Sequence, residues 1–92
     1  MAIVFRGKSE CSLCGAVMAV SDDIVMFPHF ISDKAHPLWR FSDSAMHRRC
    51  FADWSEAERF RRLHNETWAT TMPNHPREMQ SDGTIVELGK PT

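Results

Sequence analysis

The sequence lacks several features that would assign it to a class of protein at once. None of its apolar runs approaches the roughly 18 residues that a membrane-spanning helix requires, and it contains no internal repeat and no low-complexity segment. Its first residues, Met-Ala-Ile-Val-Phe-Arg, do not form a signal-peptide pattern, and its three cysteines are an odd number for a disulfide framework. We therefore expect a cytoplasmic protein with reduced thiols and no membrane association.

The chain also lacks an excess of charge of either sign. Eleven Lys and Arg balance twelve Asp and Glu, so no bulk positive field draws the chain to nucleic acid. Its 92 residues predict a single domain, 1–92, of a size at which a hydrophobic core alone leaves stability marginal. A bound metal ion would add the stability that such a core lacks.

What the sequence does contain is two pairs of metal-binding residues. Cys11 and Cys14 are separated by two residues and followed by Gly15, and His47 and Cys50 repeat the spacing. The first pair fits a knuckle, a tight turn in which both sulfurs face one point about 2.3 Å away and the following glycine takes a positive φ. The second pair projects from one face of a helix. Together they form a Cys3His set that predicts one structural Zn²⁺.

The same residues can also be interpreted without a metal ion. A lone Cys-x-x-Cys occurs in redox sites and by chance. Cys14 and Cys50 would then be ordinary buried thiols, and His47 would lie on a helix surface. The repeated spacing of the second pair favours zinc over this alternative.

The residue pattern predicts an α+β fold that begins with strands. Short β-prone apolar segments occur four times before the first helix, at residues 2–5, 16–20, 24–27 and 38–41. The turn-forming residues Ser21, Asp22 and Asp23 lie between the second and third of these, which predicts a β-hairpin directly after the knuckle. Residues 29–37 have no sustained periodicity and are predicted to be a loop.

Two helices and a second hairpin are predicted to follow. The first helix, residues 44–54, carries the second ligand pair, and its N-terminal dipole favours the thiolate form of Cys50. Ser55 and Glu58 have the form of a capping box, which starts a second helix that ends near residue 72. An Asp-Gly turn then predicts a C-terminal β-hairpin that packs back on the fold, with strands at residues 77–80 and 84–88.

The order of knuckle, β-hairpin and ligand-bearing helix resembles the treble-clef zinc fingers, and the ligand pattern is similar to one half of a LIM domain or to a PARP-type finger. The resemblance covers a zinc core at residues 11–54 and leaves residues 55–90 as a helical and β-hairpin extension. It implies four zinc ligands, Cys11, Cys14, His47 and Cys50. In two respects the chain differs from LIM domains: no cysteine follows the set, and 32 residues separate the two pairs.

Treble clefs bind proteins or nucleic acids and, in HNH nucleases, cleave phosphodiesters, so the fold does not decide the function. An HNH site needs an Asp-His or His-His dyad on the hairpin, whereas His29 has no such neighbour and His47 is assigned to zinc. The sequence therefore disfavours an enzyme. It predicts a protein-interaction module of adaptor, accessory or immunity type, with a small nucleic-acid-binding finger as the alternative.

Two groups of residues bear on the partner. Five arginines on the predicted helices could form a phosphate-binding patch, but acidic residues interleave with them and favour a solvated, ion-paired face; they are Arg48, Arg49, Arg59, Arg61 and Arg62. The first two are also candidates to stabilise the thiolates. The aromatic loop between residues 27 and 41 is mostly core by default, yet an exposed Trp39 would anchor a protein partner.

Overall fold

The structure is a computed structural model that describes residues 4–88. Its elements in chain order are β1 (Ile24–Met26), a 3₁₀ turn (Trp39–Phe41), β2 (Ala45–His47), α1 (Arg48–Asp53), α2 (Ala57–Thr71), β3 (Arg77–Met79) and β4 (Ile85–Glu87). Antiparallel pairing joins β1 to β2 and β3 to β4, which confirms the predicted α+β class. Within the described range, no helix has the length and apolar character needed to cross a membrane.

The first sheet differs from the predicted hairpin. Residues 16–20 form no strand and contribute a single bridge between Glu10 and Val17. The partner of β1 is instead β2, in a segment that the sequence assigns to the start of a helix. Val25 and Met46 lie opposite each other in this pairing and are both buried, so burial of apolar surface overrides the helical preference of the segment.

The predicted strand at residues 38–41 is wrong, because this segment forms a 3₁₀ turn. Leu38 and Phe41, three residues apart, are both buried, while Trp39 and Arg40 between them are exposed. That spacing is the repeat of a 3₁₀ helix and not of a strand. Of the predicted strand at residues 2–5, the first two residues lie outside the described range and the other two are not in a strand. Residues 89–90 of the predicted extension also lie outside it.

Both helices begin later than predicted. Helix α1 starts after His47, which is its N-cap residue, and not at residue 44. Helix α2 starts after Glu56, and the predicted capping box does not form. The Glu58 carboxylate pairs with Arg61 at 2.6 Å instead, so an ion pair along the helix competes successfully with the cap.

The core is built on four phenylalanines. Phe27 and Phe30 come from the segment between β1 and β2, and they pack on Phe60 of α2 with ring centroids 4.9 Å apart in both cases. Phe51 of α1 lies 5.8 Å from Phe27. Ser42 fixes this segment, because its hydroxyl accepts the Phe30 N–H at 2.8 Å. Two residues of the predicted loop, Phe30 and Ile31, therefore belong to the core.

The C-terminal hairpin is present as predicted, with Gly83 in its turn at φ +91. It packs against α2, where Asn65 binds the backbone of Met79. It also packs against α1, where the Phe51 ring lies beneath the turn. The hairpin thereby joins the two helices.

Candidate metal centre

The structure brings together the four residues that the sequence predicts as ligands. The ligand atoms of Cys11, Cys14, His47 and Cys50 all lie within 4.8 Å of one another. His47 Nδ1 is 3.5 Å from the Cys14 Sγ and 3.9 Å from the Cys50 Sγ. Tetrahedral zinc with Zn–S of about 2.3 Å and Zn–N of about 2.0–2.1 Å places its donors about 3.5–3.8 Å apart. The two distances from His47 Nδ1 are therefore close to those of a zinc site.

The knuckle is held by hydrogen bonds to sulfur. The Cys11 Sγ accepts the backbone N–H of Cys14 at 3.5 Å and that of His47 at 3.4 Å. Gly15 donates its N–H to the Cys11 carbonyl at 2.9 Å and takes a φ of +78, which confirms the predicted positive φ. The backbone thus directs both sulfurs of the first pair to the place where the second pair lies.

The second pair lies at the junction of strand and helix. His47 ends β2 and caps α1, and Cys50 follows in the first turn of that helix. His47 turns Nδ1 to the sulfurs and Nε2 to Asp22, whose Oδ2 is 2.9 Å away. An Nε2–H that donates to this carboxylate leaves the Nδ1 lone pair for a metal ion. The pair has the geometry of the carboxylate–histidine part of many zinc sites.

Asp22 has a role at the site beyond the turn that its sequence position predicts. A carboxylate partner for a ligating histidine is a general expectation, but a separation of 25 residues from His47 gives no signal that selects this carboxylate. The turn function is also real, since the same Oδ2 accepts the Ala19 N–H at 2.8 Å. The two bonds fix the carboxylate between the turn and the imidazole.

The cysteine thiols perturb one another. Burial opposes ionisation of Cys11, but backbone N–H groups of Cys14 and His47 outweigh it and lower the pKa of Cys11 to about 6. Burial, together with the neighbouring Cys14 and Cys11 sulfurs, raises the pKa of Cys50 to about 11. Burial and the neighbouring sulfurs therefore oppose the Cys50 thiolate, which the N-terminus of α1 is expected to favour. Three adjacent sulfurs ionise together only when a cation neutralises them.

The imidazole responds to the same charges. Burial lowers the pKa of His47, but the Asp22 carboxylate and the Cys14 and Cys11 sulfurs outweigh burial and raise that pKa above its ordinary value. A metal ion at Nδ1 would displace the proton that these groups attract. Metal binding is therefore expected to release protons.

The two arginines predicted to stabilise the thiolates have different roles. Arg48 pairs with Asp23 and with Asp82, each at 2.9 Å, and also donates to the Thr84 hydroxyl. It therefore joins the first sheet to the C-terminal hairpin and does not contact the sulfurs. Arg49 is exposed and lines a cavity of about 460 Å³ together with Cys14 and Cys50.

The remaining arginines of the predicted patch lie on α2 and have carboxylate partners. Arg59 pairs with Glu56 at 3.5 Å. Glu58 pairs with Arg61 at 2.6 Å and with Arg62 at 3.9 Å. These contacts form the ion-paired helix surface that the sequence favours over a phosphate-binding patch.

Other candidate groups do not converge on a second site. Within residues 4–88, no further set of three or more His, Cys, Asp or Glu side chains comes close enough to hold a metal ion. His29 is exposed, and His36 uses Nδ1 to accept the Leu38 N–H at 3.1 Å. In the aromatic loop the phenylalanines are buried, and Trp39 is 36% exposed.

No protein-family model, curated protein or solved structure matches this chain. The identification of the centre rests on the four donor atoms and the distances between them.

Proposed function

We propose that the cluster binds one structural Zn²⁺ and that the protein is a zinc-stabilised module for protein interaction. The donor set supports this identity of the metal, because three thiolates and one imidazole suit zinc, whereas Mg²⁺ and Ca²⁺ prefer oxygen ligands. Four protein donors complete a tetrahedron. They leave no position for the water molecule that a catalytic zinc ion activates.

The arrangement around the cluster supports a treble-clef architecture. A knuckle is followed by the antiparallel pair β1–β2, and the N-terminus of α1 supplies the second ligand pair. Residues 27–44 form a long connection between the two strands. A metal ion at the cluster would join knuckle, sheet and helix, which already contribute Cys11, Val25, Met46 and Phe51 to one hydrophobic core.

The observation that carries the interaction function is the distribution of apolar and charged surface. Met26 on β1 is 52% exposed, and Val86 on β4 is also exposed. The arginines of α2, by contrast, are paired with carboxylates and offer little free charge to phosphates. The strands therefore expose apolar side chains, and the arginines of α2 carry little unpaired charge. Such a surface suits a protein partner better than a nucleic acid.

Elemental analysis and chelation test the metal. Protein purified without added metal should hold about one zinc ion per chain, and Cys50→Ala should lose it while His29→Ala, outside the cluster, keeps it. Structural zinc contributes about 10–16 kcal/mol, whereas a domain of this size has a net stability of roughly 5–10 kcal/mol. Chelation should therefore unfold the zinc core, as circular dichroism would record. Well-folded chain without metal would contradict the proposal.

Salt dependence tests the class of partner. Phosphate contacts release counterions, so the affinity for DNA or RNA would fall by orders of magnitude between about 50 and 200 mM salt. A protein interface with an apolar centre is much less sensitive. Titrations of the zinc-loaded chain with DNA and RNA at both concentrations should show only weak binding, and tight, salt-sensitive binding would refute the interaction module.

A further inference from the structure

The strands of the two sheets have four outer edges, and the zinc knuckle covers one of them. On β2, the Ala45 carbonyl accepts the Ser12 N–H at 3.0 Å. The His47 N–H donates to the Cys11 Sγ at 3.4 Å. The knuckle thereby satisfies the Ala45 carbonyl and the His47 N–H, which β2 turns away from β1.

Helix α2 covers a second edge, that of β3. The Met79 N–H donates to Asn65 Oδ1 at 2.7 Å, and the Met79 carbonyl accepts from Asn65 Nδ2 at 3.3 Å. One side-chain amide therefore makes both bonds that a neighbouring strand would make.

The outer edge of β1 is open. The Phe27 N–H and the Asp23 carbonyl bond to the residues that flank β2, at 2.8 and 3.0 Å. Because bonding direction alternates along an antiparallel strand, Ile24 and Met26 turn their N–H and C=O groups away from β2. Within residues 4–88, these outward groups have no hydrogen-bond partner.

The outer edge of β4 is open in the same way. Thr84 accepts the N–H of Gln80, and Leu88 donates its N–H to Pro76, so these residues bond toward β3. The alternate residues of β4, Ile85 and Glu87, therefore face away from β3. In the described part of the chain, their outward backbone groups also have no partner.

Both open edges border one groove. A cavity of about 380 Å³ has β1 (Ile24–Met26) on one side and residues 83–85 on the other. A second cavity of about 470 Å³ shares Met26 and Ile85 with the first and extends to Trp68. The lining of the groove includes the apolar side chains of Ile24, Met26 and Ile85, while the edges of the groove carry unpaired backbone donors and acceptors. That combination fits an extended polypeptide.

The charges of the groove define the partner further. The charged side chains that line its two cavities are Arg6, Arg48 and Arg77, and no carboxylate lines either one. Arg48 and Arg77 already pair with aspartates and with Glu87. Arg6 donates only to backbone carbonyls, the nearest at 2.8 Å, and has no carboxylate partner among residues 4–88. Charge complementarity therefore calls for an acid at the Arg6 end.

We propose that the open edge of β1 binds an extended segment of a partner protein as an added strand. The segment pairs with the outward backbone groups of Ile24 and Met26, as in other cases of strand addition. It places apolar side chains against Met26 and Ile85 and an Asp or Glu beside Arg6. This inference rests on the proposed interaction function and names the chemistry of the partner.

Selection of peptides tests the proposal. A random dodecapeptide display library is selected against the full zinc-loaded chain, and enriched peptides are synthesised and titrated. In the expected peptides, apolar residues occupy every second position and an Asp or Glu lies near one end.

Proline and alanine variants separate the backbone from the side chain. Met26→Pro removes an outward N–H without removing a bond to β2, so it should weaken binding about tenfold. Met26→Ala measures the contribution of the side chain alone. Arg6→Gln should weaken binding several-fold, while Arg40→Gln, outside the groove, should not.

Hydrogen exchange on the wild-type chain gives a readout that does not depend on the proline variant folding. The peptide should slow exchange of the Ile24 and Met26 amides at least tenfold. The Val25 amide, already directed to β2, should change little.

Three results would overturn strand addition: no enriched peptide, binding that Met26→Pro leaves intact, or a dimer in sedimentation that this variant dissociates. The last result would assign the edge to a second copy of the chain. If the Met26→Pro variant still binds a protein partner, strand addition is refuted but the proposed interaction function is not. Absence of zinc, or salt-sensitive binding to nucleic acid, would refute the proposed function itself.

Discussion

Replacement of Gly83 by alanine tests whether the C-terminal hairpin is docked on the helix that carries Cys50. The glycine lies at φ +91, and a Cβ built there would meet ring carbons of Phe51 at 3.1 Å. Gly7 is a matched control, because it has nearly the same φ, +87, with nothing within 4 Å of its Cβ. Both substitutions place an alanine in the left-handed region, so their backbone costs are similar. Only Gly83→Ala also brings a methyl group against Phe51.

The magnitudes follow from these two terms. An L-residue in the left-handed region costs about 1–2 kcal/mol, so Gly7→Ala should destabilise the fold by about that amount. Overpacking a buried ring costs a further 1–3 kcal/mol or so. Phe51 has little freedom to move away, since it is fully buried and packs against Phe27 and Trp54. Gly83→Ala should therefore cost about 2–5 kcal/mol.

Thermal unfolding at a fixed excess of Zn²⁺ measures the difference. For a domain of this size, 1 kcal/mol corresponds to about 4–8 °C in Tm, so Gly83→Ala should melt about 5–20 °C below Gly7→Ala. Gly83→Ala combined with Phe51→Leu should recover part of the difference, because the smaller side chain leaves room for the methyl group. Equal Tm values for the two single variants would show that the hairpin does not rest on Phe51.

Three further predictions concern other contacts. Asp22→Ala should weaken zinc binding about 10–100-fold in a competition titration with a chromophoric chelator, while Asp23→Ala, which alters a carboxylate that does not contact the imidazole, should not. Asn65→Ala should lower the free energy of unfolding by about 1–3 kcal/mol in urea, because the buried Met79 N–H loses its partner and the Met79 carbonyl keeps only Arg61, at 3.5 Å. Burial lowers the pKa of His64 in the folded chain, so the unfolded chain takes up the proton first and stability should fall as the pH drops below about 6.5. His64→Leu should flatten this dependence between pH 7 and 5.5 in urea titrations, and an unchanged slope would contradict it.

Local signals account for the parts of the fold that the sequence predicts correctly. The two-residue spacing of the cysteines and the glycine that follows define the knuckle within five residues. The Asp-Gly turn defines the C-terminal hairpin in the same way. The buried positions Phe60 and His64 of α2 are four apart, which is the helical period. In each case the residues that decide the structure are close in sequence.

The errors arise where distant residues decide the structure. The partner of β1 lies beyond residues 27–44, and no pattern within β1 distinguishes β2 from the nearer segment at residues 16–20. The role of Asp22 depends on the same pairing, since only the β1–β2 register brings its carboxylate to His47. The ligands themselves were predictable because the chemistry of zinc restricts the donors to few residue types.

The candidate metal centre is linked to the C-terminal hairpin, although the hairpin supplies none of the four donors. Each residue of the second ligand pair is followed by one that holds the hairpin: Arg48, after His47, pairs with Asp82, and Phe51, after Cys50, lies under Gly83. The geometry that directs His47 and Cys50 to the metal therefore also sets the positions of Arg48 and Phe51. Because the groove has β1 on one side and the hairpin on the other, its width depends on both contacts. A zinc ion at the cluster would thus support the proposed peptide groove from a distance, without lining it.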